Sequence, residues 1–116
     1  MPAIDRSLCF VYTCRRLIDL SADATIDCRY IDIDCHHGDG VEQAFYSSNR
    51  VMTLSLHRHG PGYFPGSGAL GSIGTGAGLG YAVNVPLKAG IADDRYLDLF
   101  RLIVDAARDA FRPAAV

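Results

Sequence analysis

The chain has 116 residues, 49% of them apolar, with eleven Lys and Arg against thirteen Asp and Glu and a net charge of −2. Such a chain suits one globular domain with a modest core, and its near-neutral balance excludes a polyanion-binding surface built on excess positive charge. No apolar stretch approaches the roughly 18 residues of a membrane span, and no basic segment leads into a long apolar one at the N-terminus, so the expectation is a soluble, intracellular protein.

Residues 1–28 carry weak signals: an apolar run from Leu8 to Tyr12, an interruption at Arg15 and Arg16, and a polar stretch from Ser21 to Asp27. This segment is left unassigned. The cysteines at 9, 14, 28 and 35 form no C-x-x-C pair and read as buried or free thiols more readily than as a disulfide framework or zinc knuckle. From Arg29 onward Tyr30, Ile31 and Ile33 predict a short strand, and Asp32, Asp34, His36, His37 and Asp39 crowd its C-terminal end, where ligands gather in α/β sheets. One or two helical turns are predicted over 40–48, with Val41, Ala44 and Phe45 on one side, then a second strand over 51–56. Residues 57–80 hold most of the twelve glycines and predict a long loop of functional character. Tyr81–Leu87 reads as a third strand. A helix over 92–111 follows, with Tyr96, Leu97, Phe100, Ile103, Val104, Ala107 and Phe111 at helical spacing, Asp93 or Asp94 as its cap and Pro113 as its stop. Strands separated by helices or long connections predict an α/β architecture with a parallel sheet covered by helices.

Asp34 and His36 stand two apart, which along an extended backbone points both side chains to one side, and carboxylate oxygen with imidazole nitrogen suits a divalent cation such as zinc. Two ligands are too few for a catalytic site, and no third is evident. Asp32 and Asp39 fit better as carboxylates that orient imidazoles by hydrogen bonds. The competing reading makes the whole stretch a polar loop, with His37-Gly38-Asp39-Gly40 as turn chemistry. GSGALG over 66–71 matches a dinucleotide fingerprint in letters only, since no strand precedes it and no helix follows. It reads instead as a loop whose backbone approaches something closely, with Tyr63 and Phe64 adding apolar surface. His57 and His59 are candidates for a base or third ligand, exposed loop histidines being the commoner case, and Tyr81 reads as a core or edge aromatic.

The segment YIDIDCHHGDGVEQAFYSSNRVMTLSLHRHGPGYFPGSG, continued by GYAVNVPLKAGIADDRY and on to FRPAAV, resembles the zinc-dependent histone deacetylases, most closely the class I type, of the arginase-deacetylase fold. The resemblance covers 29–116 and implies an incomplete part of a catalytic domain, a three-layer α/β structure with a helix-covered parallel sheet. It implies zinc-dependent hydrolysis of acetyl-lysine on histone tails or other proteins, with corepressor subunits as possible partners, no direct nucleic acid or membrane partner, and a place in the nucleus, also the cytoplasm. By resemblance Asp34 and His36 are zinc ligands, Asp32 and Asp39 polarise the family's two catalytic histidines, and Phe64 walls the acetyl-lysine channel. The family's potassium ions would take an inner site from Asp32, Ser55 and the backbone of Asp34, His36 and Leu56, and an outer site from carbonyls of Phe45, Ser48, Val51 and Tyr81.

Departures accompany the match. The family's histidine pair belongs upstream of YIDID, yet residues 1–29 contain no histidine; its third zinc ligand, an Asp, and its oxyanion tyrosine belong beyond Val116. A fragment inactive on its own is therefore expected. Cys35 stands where an aliphatic residue is usual and Leu56 where an aromatic is usual, neither altering a ligand on this reading. Two alternatives remain open: a non-catalytic remnant that binds metal or deacetylase partners, and a ureohydrolase-like enzyme with two manganese ions, against which the YFPGSG loop argues.

Overall fold

A computed structural model describes residues 28–112. The readings of residues 1–27, with Cys9 and Cys14, and of Pro113 as the helix stop lie outside the described residues. The elements in order are β1 (Cys28–Asp32), α1 (Asp39–Phe45), β2 (Val51–Arg58), a 3-10 turn (Gly76–Gly78), β3 (Ala82–Leu87) and α2 (Asp93–Ala110). The strands form one parallel sheet in the order β1-β2-β3, as the alternation of strands with helices and long connections predicts.

The central strand explains the packing. Met52, Leu54 and Leu56 alternate onto one face and meet Leu87, Ala107 and Phe111, with Tyr96, Phe100 and Ile103 of α2 packed against them. Val51 begins the opposite face and packs with Cys28, Val41 and Phe45, so α1 covers that end of the sheet. Further along this second face the side chains are polar yet buried: Thr53, Ser55 and His57. A strand covered on both faces must hydrogen-bond such groups internally, because their desolvation is otherwise uncompensated. The register aligns Asp32 with Ser55 and Ser55 with Asn84, a polar row across all three strands.

Several local expectations shift. α2 begins after Ala92, and neither Asp93 nor Asp94 caps it; both occupy the first turn, where their charge favours the helix dipole. Leu97 is exposed rather than packed, since the buried stripe runs through Tyr96, Phe100, Ile103 and Ala107. Tyr81 precedes β3 and meets Phe111 edge-on at 5.4 Å, which makes it a core aromatic. Residues 66–71 contain neither strand nor helix, as GSGALG predicts for a loop.

At the start of β1, Arg29 is buried and its guanidinium donates to the carbonyls of Ala107 at 3.2 Å and Phe111 at 2.6 Å. The Ala107 carbonyl already accepts from the Phe111 N–H at 2.9 Å, so the guanidinium adds a second bond there and also bonds the Phe111 carbonyl just past the helix end, where a cation favours the helix dipole. Arg29→Met is expected to cost about 1.5–3 kcal/mol, the worth of hydrogen bonds made by a charged group. Denaturant unfolding measures it, and a loss below about 0.5 kcal/mol would contradict it.

Candidate metal centre

β1 stops at Asp32, and residues 34–36 form a bend. Two successive side-chain turns shape it: Asp32 Oδ1 accepts from the Asp34 N–H at 3.0 Å, and Asp34 Oδ1 accepts from the His36 N–H at 2.7 Å. Such short carboxylates readily bond backbone two residues on. Asp34 and His36 do converge, with Asp34 Oδ1 3.2 Å from His36 Nδ1, but through this bend and not through strand alternation. The His36 N–H, by favouring the charged form, holds the Asp34 carboxyl below its usual value.

Alternation would send Cys35 to the other side. In the bend its Sγ lies 3.5 Å from His36 Nδ1, and donor atoms of Asp34, Cys35 and His36 all fall within 4.8 Å of one another. The His36 ring stacks on Tyr63, centroids 5.3 Å apart and planes within 7°, with Phe64 edge-on at 5.9 Å. Phe64 is 75% exposed and free to present its face to a ligand. The Tyr63 hydroxyl, hydrogen-bonded to the Cys35 side chain, titrates above the ordinary tyrosine value, and Arg58 lies 4.2 Å over the Tyr63 ring.

Asp32 and Asp39 open onto one cavity of about 310 Å³, lined also by Tyr30, Asp34, His36 and His37. Asp32 Oδ2 accepts from the Tyr30 hydroxyl at 2.9 Å, and Asp39, exposed in the first turn of α1, accepts from the Gly40 N–H. Among the described residues neither carboxylate has an imidazole partner.

His37 and His57 depart most from expectation. His37 is buried, not turn surface: Nε2 is 3.1 Å from Glu42 Oε2 and Nδ1 is 2.8 Å from Ser67 Oγ. The same Glu42 oxygen accepts from Asn84 Nδ2, which also donates to the Ser72 carbonyl at 2.9 Å. His57 belongs to β2 and is 1% exposed, not a loop histidine. Its Nε2–H donates to the Gly68 carbonyl at 2.9 Å, so Nδ1 accepts from the Ser55 hydroxyl at 3.0 Å. The rings of His37 and His57 are 4.7 Å apart. The signal for His57 was present in Thr53-x-Ser55-x-His57, one continuous strand face. His59 sits beyond the strand with Nδ1 3.2 Å from the Ser67 carbonyl, and neither His57 nor His59 joins the donor cluster.

Of the residues assigned to potassium, Asp32 and Ser55 are register partners, while Ser55 also serves His57. The Phe45 carbonyl accepts from Ser48 N–H and the Tyr81 carbonyl from Thr53 N–H, both at 2.9 Å; each keeps a second lone pair. Ser48 Oγ accepts from Arg50 N–H. Val51 and Leu56 are buried strand residues.

The family model for the histone deacetylase domain matches residues 19–116. This chain belongs to the histone deacetylase family. The deacetylase-family segment is 56% identical over 87 residues to histone deacetylase HDAC1 of Drosophila melanogaster, covering 75% of this chain and 16% of that protein. It is 54% identical to human histone deacetylase 1 and to Saccharomyces cerevisiae histone deacetylase RPD3, again over 75% of this chain, and 18% and 20% of theirs. A crystal structure of an HDAC homologue from Aquifex aeolicus superimposes with a TM-score of 0.82 at 34% identity, covering 90% of this chain and 27% of that one. The fold is thus the arginase-deacetylase type, seen in part. The chain spans about a sixth to a fifth of the length of these curated relatives.

Burial pushes His57 below its ordinary value of 6.5, with the neighbouring His37 adding to the effect. The unfolded chain therefore binds a proton at His57 that the folded chain refuses, so this contribution is present above pH 6.5 and lost as pH falls through and below it. Stability in this deacetylase-family segment is expected to decline on acidification below pH 6.5, by up to about 1.4 kcal/mol per pH unit from this group. His57→Gln should flatten that part of the profile. An unchanged slope in the variant, measured by thermal unfolding across pH 5–7.5, would count against the assignment.

Proposed function

We propose that this segment is part of the catalytic domain of a zinc-dependent protein-lysine deacetylase and supplies half of its metal centre. One observation carries the reading: a carboxylate oxygen and an imidazole nitrogen held 3.2 Å apart in an exposed bend beneath an aromatic pair, in a chain of this family. Tetrahedral zinc with bonds of roughly 2.0–2.1 Å requires adjacent donors about 3.3 Å apart, so Asp34 and His36 fit the ion. Asp34 stays ionised because the His36 N–H favours its charge. Tyr63 fixes the plane of His36, and exposed Phe64 offers an apolar wall to the alkyl stem of an acetylated lysine. The cavity beside Asp32 and Asp39 has room for imidazoles that these carboxylates would orient. When bound, zinc would supply Lewis-acid polarisation of the acetyl carbonyl and acidify a water. By family resemblance, potassium would be structural, histone tails the substrate, corepressor subunits the partners and the nucleus the principal location.

In a deacetylase domain carrying this segment, Asp34→Ala and His36→Ala are each expected to lower deacetylation of an acetyl-lysine peptide on the order of a thousandfold, about 4 kcal/mol of transition-state stabilisation. Retention of full turnover in either variant would remove that residue from the ligand set. The 116-residue polypeptide alone is expected to release no acetate, since two family ligands without a placed base stabilise the transition state little. Zinc-dependent turnover by it would overturn this.

A further inference from the structure

Resting on the reading of Asp34 and His36 as metal ligands, we infer that Cys35 is a third donor, making residues 34–36 an oxygen–sulfur–nitrogen site for a thiophilic divalent cation such as zinc. Two independent separations fit one tetrahedral ion. With Zn–S near 2.3 Å and Zn–N near 2.05 Å, a sulfur and a nitrogen ligand lie about 3.6 Å apart, and an oxygen and a nitrogen about 3.3 Å. The structure places Cys35 Sγ 3.5 Å and Asp34 Oδ1 3.2 Å from the same nitrogen, His36 Nδ1.

All three residues are exposed, so an ion enters without unfolding the bend. The backbone is already committed, because the Cys35 carbonyl accepts from Arg58 N–H at 3.0 Å while Asp34 caps His36. Tyr63 stacks on the His36 ring and Arg58 lies over Tyr63, which holds the imidazole in one plane. A mixed sulfur, nitrogen and carboxylate set selects zinc, cadmium or cobalt over magnesium, calcium or manganese, which prefer oxygen alone. On binding, the thiol proton passes to solvent and the thiolate takes its place in the coordination shell. Three donors leave one tetrahedral position open.

Cadmium titration of the full chain provides the test, with thiolate-to-metal charge-transfer absorbance and a competing chelator as separate readouts. The expected result is one thiolate band per bound ion, absent in Cys35→Val, with affinity reduced about tenfold or more in that variant and in Asp34→Ala and His36→Ala. A Cys9→Ser, Cys14→Ser, Cys28→Ala variant should keep the band, and unchanged circular dichroism of Cys35→Val would show that exposed position 35 is not needed for folding. Binding without a thiolate band would overturn the role of Cys35 and leave Asp34 and His36 as ligands. A band that persists in Cys35→Val, or one indifferent to Asp34→Ala and His36→Ala, would overturn the three-donor site. No binding at all would overturn it together with the ligand reading.

Discussion

Glu42→Ala is expected to cost about 2–5 kcal/mol of folding stability, roughly 1–3 kcal/mol for each buried donor left without its acceptor. One carboxylate oxygen serves both His37 Nε2 and Asn84 Nδ2, tying the bend, α1 and β3 together in the interior. Alanine leaves two donors facing a space with no replacement acceptor. Glu42→Gln keeps an amide oxygen that both donors can reach and should lose less than half as much. Because His37 adjoins His36, the alanine variant is also expected to bind zinc about tenfold more weakly. Urea denaturation and a chelator competition test the two effects separately; a stability loss under about 1 kcal/mol in Glu42→Ala would show that the network relaxes around the gap.

The second large effect belongs to Gly68→Ala, with an expected loss of about 2–5 kcal/mol. Gly68 has φ +82°, and a side chain in the left-handed region costs roughly 1–2 kcal/mol. A methyl group there would also run into the rings of His57 and His37, and overpacking of this kind adds about 1–3 kcal/mol. Gly62 separates the two causes: its φ is +70° but nothing lies within 4 Å of an added Cβ, so Gly62→Ala should carry the backbone cost alone. Equal losses in the two variants, measured by denaturant unfolding, would mean that the histidines simply move aside. Displacing Gly68 also shifts Ser67, the hydroxyl beside His37.

Much of the architecture could be read from the chain because apolar period and turn chemistry are local properties. The alternation through Met52, Leu54 and Leu56 and the helical stripe through Tyr96, Phe100, Ile103 and Ala107 describe the two surfaces that meet in the core. Asp34 and His36 stand together as their spacing suggested, although a bend brings them there. The buried histidines were harder. His37 finds Ser67 thirty residues away and His57 finds Gly68 eleven away, and nothing within a short window tells a turn histidine from one whose acceptors arrive from a distant loop. Cys35 gave no signal as a donor for a different reason: strand alternation pairs only positions two apart, it holds only while the backbone stays extended, and β1 ends at Asp32.

That bend also determines what a metal could do for the fold. Its donors are consecutive residues, so closing a chelate among them costs the unfolded chain little entropy compared with ligands drawn from distant strands. The denatured ensemble would retain appreciable affinity, and a ligand that binds both states stabilises the native one only by the difference. Zinc at residues 34–36 is therefore expected to act on local geometry while raising the melting temperature only slightly, leaving global stability to the sheet, the Glu42 network and the Arg29 tie.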